Sequence, residues 1–170
     1  VYKGRRLADE KPVVIKLLKA EYPTFAELVQ FRNQYALTLN LDFPGIVKPI
    51  AIENYRNGFA LIMEDYGGIS LKDYAEGKPL NIDEFFPIAI SLATTLEGLY
   101  RNSIIHKDIK PSNILINPST KEVKLIDFSI ASLLPRETQE IENPNLLEGT
   151  LAYISPEQTG RMNRGIDYRT

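Results

Sequence analysis

Asp108 and Asp127 keep the company that chemistry requires. Asp108 lies in His106-Lys107-Asp108-Ile109-Lys110-Pro111-Ser112-Asn113, which sets carboxylate, ammonium and amide groups within eight residues. Asp127 follows nineteen positions later, in Leu125-Ile126-Asp127-Phe128-Ser129. Carboxylates in such settings do two kinds of work. One accepts or orients the proton of an attacking hydroxyl; another joins an amide oxygen in holding a hard divalent cation. His106, the only histidine, reads as a packing and hydrogen-bonding scaffold rather than a base or ligand. Taken alone, Asp127-Phe128 is a strand-end turn and Lys16 a solvated strand lysine; their meaning depends on what else surrounds them.

The elements that must position these groups follow from pattern. Val1–Arg6 and Pro12–Leu18 read as a strand pair joined by the polar turn Ala8-Asp9-Glu10-Lys11. Thr24-Phe25-Ala26-Glu27 is a capping box that opens a helix to about Asn40, with Leu28, Phe31, Tyr35 and Leu39 expected inward. Ile46–Glu53 and Gly58–Met63 are the next expected strands, turning at Tyr55-Arg56-Asn57-Gly58, and Gly67-Gly68 breaks the pattern at a joint. Asn81 caps a second long helix, whose Phe85, Ala89, Leu92, Leu96 and Leu99 recur at helical spacing. Two short strands, Ile114–Ile116 and Val123–Ile126, then bracket Asn117-Pro118-Ser119-Thr120. Beyond Ser132 the chain reads mostly as loop.

With 170 residues, 44% hydrophobic and 25% charged, the chain buries a real core. A net charge of −2 gives no basic field, so nucleic acid and membrane surfaces are not expected partners. The absence of cysteine removes disulfides and thiolate metal sites and fits the cytoplasm. No apolar run approaches the roughly 20 residues of a membrane span, and none reads as a secretory signal.

The order of these elements and motifs resembles the protein kinase family. That resemblance implies an α+β, bilobal fold: a small sheet-rich lobe with one helix over residues 1–66, ending in a hinge, and a helical lobe over 67–170. Val13-Val14-Ile15-Lys16 is similar to the third-strand lysine motif, so Lys16 would contact the α- and β-phosphates of ATP. By the same resemblance Asp108 would serve the substrate hydroxyl, Lys110 would steady the transferring group, and Asn113 and Asp127 would hold Mg²⁺. Met63-Glu64-Asp65-Tyr66 resembles the hinge. Met63 would stand at its back, and the Glu64 carbonyl and Tyr66 amide would pair with adenine. Val1, Val14, Leu115 and Ile126 would enclose the ring. Gly149-Thr150-Leu151-Ala152-Tyr153-Ile154-Ser155-Pro156-Glu157 resembles the end of the activation segment, and Thr150 with Lys110 marks kinases of serine and threonine. The tail through Arg161-Met162-Asn163-Arg164 is similar to kinase domains that open large bacterial sensor proteins, which implies further domains in the parent chain.

The pattern also departs from the family. Counting back from Pro44 puts Gln34 where a glutamate normally pairs with the strand lysine; an amide there accepts a hydrogen bond without charge. Glu27 is no substitute, being about 10 Å away along the helix axis. Lys107 replaces an arginine, Ser129 a glycine and Val14 an alanine. The resemblance sets the glycine-rich loop before Val1 and the central helix of the large lobe after Thr170, so little activity is expected of this piece alone. Three readings stay open: an ATP- and Mg²⁺-dependent serine/threonine kinase, a pseudokinase that binds nucleotide or docks a partner, and a small-molecule phosphotransferase on the same fold.

Overall fold

A computed structural model describes residues 1–133, 149–160, 165–167 and 170. The segment Arg161–Arg164 of the sensor-like tail lies outside the described residues. Strands β1 (Tyr2–Arg5), β2 (Pro12–Leu17), β3 (Pro49–Tyr55) and β4 (Gly58–Glu64) form an antiparallel sheet in the order β1-β2-β4-β3. Helix α1 (Phe25–Leu39) packs on it. Its capping box is complete: the Thr24 hydroxyl accepts from the Glu27 amide, while the Glu27 carboxylate accepts from the Thr24 amide. A second sheet, β5 (Ile69–Ser70), β6 (Ile114–Ile116) and β7 (Val123–Leu125), follows the Gly67-Gly68 joint. Beside it lie the short helix α2 (Leu71–Tyr74) and the long helix α3 (Ile82–Arg101). Neither β5 nor α2 was expected; the pair is too short for any periodicity to register, though the Ser70 cap that starts α2 is visible.

Strand β3 begins at Pro49 rather than Ile46. The residues before it belong to the other sheet: the Leu125 amide donates to Gly45 O at 2.7 Å and the Val47 amide to Leu125 O at 3.1 Å. This splice ties the two sheets together behind the acidic loops. It needs glycine at position 45, where φ is +101° and a Cβ would stand 2.1 Å from Thr95 Oγ1. Gly45→Ala combines a disfavoured backbone with a clash against a helix, and is expected to cost about 2–4 kcal/mol in urea unfolding. A Gly45→Ala/Thr95→Ala pair should recover the steric part only.

Both long helices pack part of the expected face inward, Phe31 and Tyr35 in α1 and Leu92 and Leu99 in α3. Each is rotated enough to expose some of its large apolar residues. In α3 the buried residues are Ile88, Thr95 and Leu99, while Phe85 and Leu96 are 51% and 40% exposed. The chain from Phe43 to Gly45 crosses this helix, and only small residues let it come close: a Cβ on Gly98 would meet the Phe43 ring at 2.9 Å. In α1 the buried residues are Phe31, Gln34, Leu37 and Thr38, and Leu39 is exposed. The inward face therefore carries an amide, Gln34, which sequence patterning assigned no inward place. Phe31 joins the core under the first sheet, with Val47, Leu61 and Met63. Leu37 and Leu41 join the larger core with Ile46, Leu99, Leu125 and Phe128. One helix thus contacts both halves of the molecule.

Candidate active site

Between the two sheets lies a cavity of about 370 Å³. Val1, Val14, Val47 and Met63 line it from the first sheet and its flank, Glu64 and Tyr66 from the connecting segment, and Leu115 and Ile126 from the second sheet. Lys16, Gln34 and Asp127 close one end. A larger hollow of about 450 Å³, between β1, Leu17–Glu21 and the β3–β4 turn, shares only Val1 with the predicted residues. The chemistry lies with the first cavity, which joins apolar walls to charged groups.

At its charged end, Lys16 Nζ donates to Gln34 Oε1 at 2.9 Å and to Asp127 Oδ1 at 2.8 Å. Residues 111 positions apart meet here because β2 and the end of β7 face each other across the splice at residues 45–47. Burial by itself would raise the Asp127 carboxyl. The Lys16 ammonium, its hydrogen bond and the Ser129 hydroxyl outweigh that and hold it below the usual carboxylate range. Ser129, where a glycine was expected, thus supports the carboxylate charge. Asp127 itself takes a left-handed backbone, φ 65°, and Lys107 does so at 66°. Such corners persist only where surrounding bonds over-determine them.

Asp108, Lys110 and Asn113 do not line the cavity; they form an adjoining cluster. The tight turn Pro111–Asn113 brings Asn113 back onto Asp108, its Nδ2 donating to Asp108 O at 2.9 Å and to Oδ2 at 2.8 Å. With that nitrogen committed, the carbonyl oxygen is the Asn113 atom left to act as a ligand. Lys110 Nζ stands 2.7 Å from Asp108 Oδ2 and donates to Thr150 Oγ1 at 2.5 Å, while the Thr150 hydroxyl donates to Asp108 Oδ1 at 2.9 Å. Both carboxylate oxygens of Asp108 are therefore oriented, one by an amide and a cation, the other by a hydroxyl.

His106 couples this cluster to the cavity. Its Nδ1 accepts from the Asp108 amide at 3.2 Å and its Nε2 pairs with Ile126 O at 3.0 Å, so the neutral ring carries its proton on Nε2. The ring is 3% exposed and meets Phe128 edge-on at 4.7 Å. Burial depresses its pKa more than the Ile126 carbonyl and the nearby acids raise it. The folded protein therefore keeps His106 neutral while the unfolded chain protonates below its ordinary value of 6.5. Stability should be intact above that pH and fall as pH drops from 6.5, by up to about 1.4 kcal/mol per unit. Asp127, depressed from 3.8, adds its loss only in stronger acid. Thermal melts between pH 7.5 and 5.5 should show the decline, and His106→Gln should flatten it.

Three further residues support the site that sequence reading did not single out. Lys124 Nζ pairs with Glu64 Oε1 at 2.7 Å and stands 4.7 Å over the Tyr66 ring. Asn117 Nδ2 donates to Tyr66 O at 2.6 Å. The β6–β7 hairpin thus straps the segment that joins the two sheets. Gln158 Nε2 donates to Lys107 O at 2.9 Å, fixing the left-handed corner before Asp108. Strand alternation gives no hint of Lys124 or its partner, and Asn117 reads as loop punctuation. Glu157 is buried, at 6% exposure.

Among the described residues no group of three or more His, Asp or Glu side chains gathers around a point. An acid and an amide, Asp127 and Asn113, remain as candidate oxygen ligands. That set fits magnesium, which keeps waters and takes its other oxygens from a bound phosphate rather than from a protein cage. Among the described residues no helix is long and apolar enough to cross a membrane.

Comparison with known proteins agrees on one family. The protein kinase domain matches residues 1–168. The serine/threonine-protein kinase PrkC of Bacillus subtilis is 32% identical over 160 residues, which cover 93% of this chain and 24% of that protein. The probable serine/threonine-protein kinase CPE1738 of Clostridium perfringens is 34% identical over 174 residues, covering 100% of this chain and again 24% of the relative. The chain thus spans 24% of the length of these relatives. Among solved structures, the kinase PK-1 of Cydia pomonella granulovirus matches with a TM-score of 0.73 at 24% identity, over 98% of this chain and 57% of that one, a likeness of fold.

Proposed function

The chain belongs to the protein kinase domain family, and from that premise we propose that the full-length protein carrying it binds ATP and passes the γ-phosphoryl group to serine or threonine hydroxyls of a protein. The observation that carries this reading is the Lys110–Asp108–Thr150 cluster, joined through His106 to the cavity that Lys16 and Asp127 close. Adenine fits the apolar walls. Val1 and Val14 would cover it, Leu115 and Ile126 would form its floor, Met63 its back, and the Glu64 carbonyl and Tyr66 amide would read its edge. Residues 1–66 and 67–170 act in this reading as two lobes around that slot.

Lys16 directs its ammonium at the α- and β-phosphates. Asp108 orients the acceptor hydroxyl and takes its proton as that oxygen bonds to the γ-phosphorus and the bridging P–O bond to ADP breaks. Lys110 offsets charge on the group in transit. Asn113 and Asp127 would hold magnesium, which when bound would neutralise charge on the phosphates. The parent protein is read as a cytoplasmic signalling protein in which other domains of the same chain are partners of this one.

The test is transfer of label from γ-labelled ATP to a basic protein acceptor, followed by phosphoamino-acid analysis. Label on serine and threonine supports the reading; label on tyrosine alone, or on a small-molecule acceptor and no protein, overturns it. Gln34 favours a second reading, a module that binds nucleotide and transfers nothing. On that reading ATP raises the melting temperature while no acceptor is labelled.

A further inference from the structure

Each acid that lines the cavity is paired with a lysine, although Lys124, the partner of Glu64, also lies 3.6 Å from Glu122. Asp65 lies 3.2 Å from Lys3, Glu64 is 2.7 Å from Lys124, and Asp127 is 2.8 Å from Lys16. The remaining group at the charged end, Gln34, is 4% exposed, and its amide oxygen accepts from Lys16 at 2.9 Å. Its place does not depend on charge. The Thr38 hydroxyl donates to Gln34 O at 2.6 Å within the helix, and neighbouring Asn33 donates from Nδ2 to Ala131 O at 3.0 Å, pinning α1 against the segment that follows Asp127. Helix α1 therefore positions Lys16 through neutral amides and adds no further acid to the three that line the cavity.

We propose that Gln34 is a positioning residue that also sets charge specificity: it holds Lys16 in place while leaving the cavity one negative charge poorer, so that a nucleoside polyphosphate is accepted without its divalent cation. The inference rests on the nucleotide reading above and deepens it. A carboxylate at position 34 would face Asp127 across Lys16 and would repel the phosphate oxygens that Lys16 attracts. A divalent cation would mask that repulsion, because it carries the opposite sign to the same place. An amide at 34 supplies the hydrogen bond and omits the repulsion. Among the described residues, Lys16 rests on Asp127 for charge. The arriving phosphates can then take over the ammonium and release Asp127 to its metal, so nucleotide precedes cation.

The decisive measurement is ADP affinity by calorimetry, in excess EDTA and in excess Mg²⁺, a pair of conditions in which no transfer occurs. Wild type should bind ADP in EDTA, with Mg²⁺ adding less than about tenfold. Gln34→Glu should lose roughly tenfold in EDTA, the scale of one charge a few ångströms from the phosphates, and less than about twofold in Mg²⁺. Gln34→Met removes the hydrogen bond without adding charge. It should weaken both affinities by a similar factor and leave their ratio at the wild-type value. A Gln34→Glu ratio equal to wild type, a Gln34→Met ratio that shifts with it, or wild-type binding that depends wholly on Mg²⁺ each overturns the proposal. Failure of wild type to bind ADP in either buffer instead removes the nucleotide reading on which it rests.

Discussion

Asp108→Asn is expected to lower phosphoryl transfer by about 10²–10⁴-fold, the range of a lost general base, while nucleotide affinity stays within about twofold. The separation follows from position. Asp108 does not line the cavity, and its carboxylate is bound to Asn113, Lys110 and Thr150 rather than to any cavity wall. An asparagine of the same shape can still accept from the Thr150 hydroxyl or the Asn113 amide. It cannot accept a proton from the acceptor hydroxyl, and it removes the anion that pairs with Lys110. Single-turnover transfer measured beside ADP calorimetry separates the two quantities. Equal loss of binding and transfer would place Asp108 in nucleotide binding; unchanged transfer would remove it from the chemistry. Thr150→Val is the informative companion. It deletes the hydroxyl that bridges Lys110 and Asp108 and leaves both charges, so any loss reports orientation alone.

How much of this was legible beforehand depends on how far apart the partners lie. Asp108 and Asn113 sit five residues apart, and Pro111 fixes the turn that joins them, so local sequence carries their geometry. Lys16 and Asp127 are 111 residues apart, and no local rule connects them. Their meeting was readable only through likeness to a family with the same order of motifs. Gln34 was reached by counting along that likeness, and its oxygen does lie 2.9 Å from Lys16.

Helix faces were less legible, for a physical reason. Apolar periodicity marks the stripe with the most transfer energy, whereas Thr95 and Gly98 are inward because a crossing chain requires small residues there. Of the residues expected inward, Phe85 and Leu96 are exposed, while Leu92 and Leu99 still pack into the core. Lys124 was hidden for a related reason. A lysine on a short strand reads as a solvated residue, yet its ammonium lies over the Tyr66 ring and pairs with Glu64.

Asp127→Asn should have the other large effect, and its signature differs from that of Asp108. Among the described residues Asp127 is the charged partner of Lys16, because Gln34 contributes an amide. Removing that charge deletes a cation ligand and leaves a partly buried ammonium facing two neutral amides. Transfer should fall by about 10³-fold or more, in line with the loss of a group that fixes charge against the phosphates. Nucleotide binding should change in a particular way. With Lys16 released from its competing carboxylate, ADP affinity in EDTA should rise by a few fold, and the gain from adding Mg²⁺ should disappear. Gln34→Glu moves both quantities in the reverse direction by adding an acid where Asp127→Asn takes one away. Combined, the two substitutions conserve net charge but move the carboxylate from the metal side of Lys16 to the helix side. If charge alone governed the cavity, the double variant would bind ADP as wild type does in both buffers. If position matters, Lys16 will be held and metal-free affinity partly restored, while transfer remains lost, because no carboxylate stands where Asp127 stood.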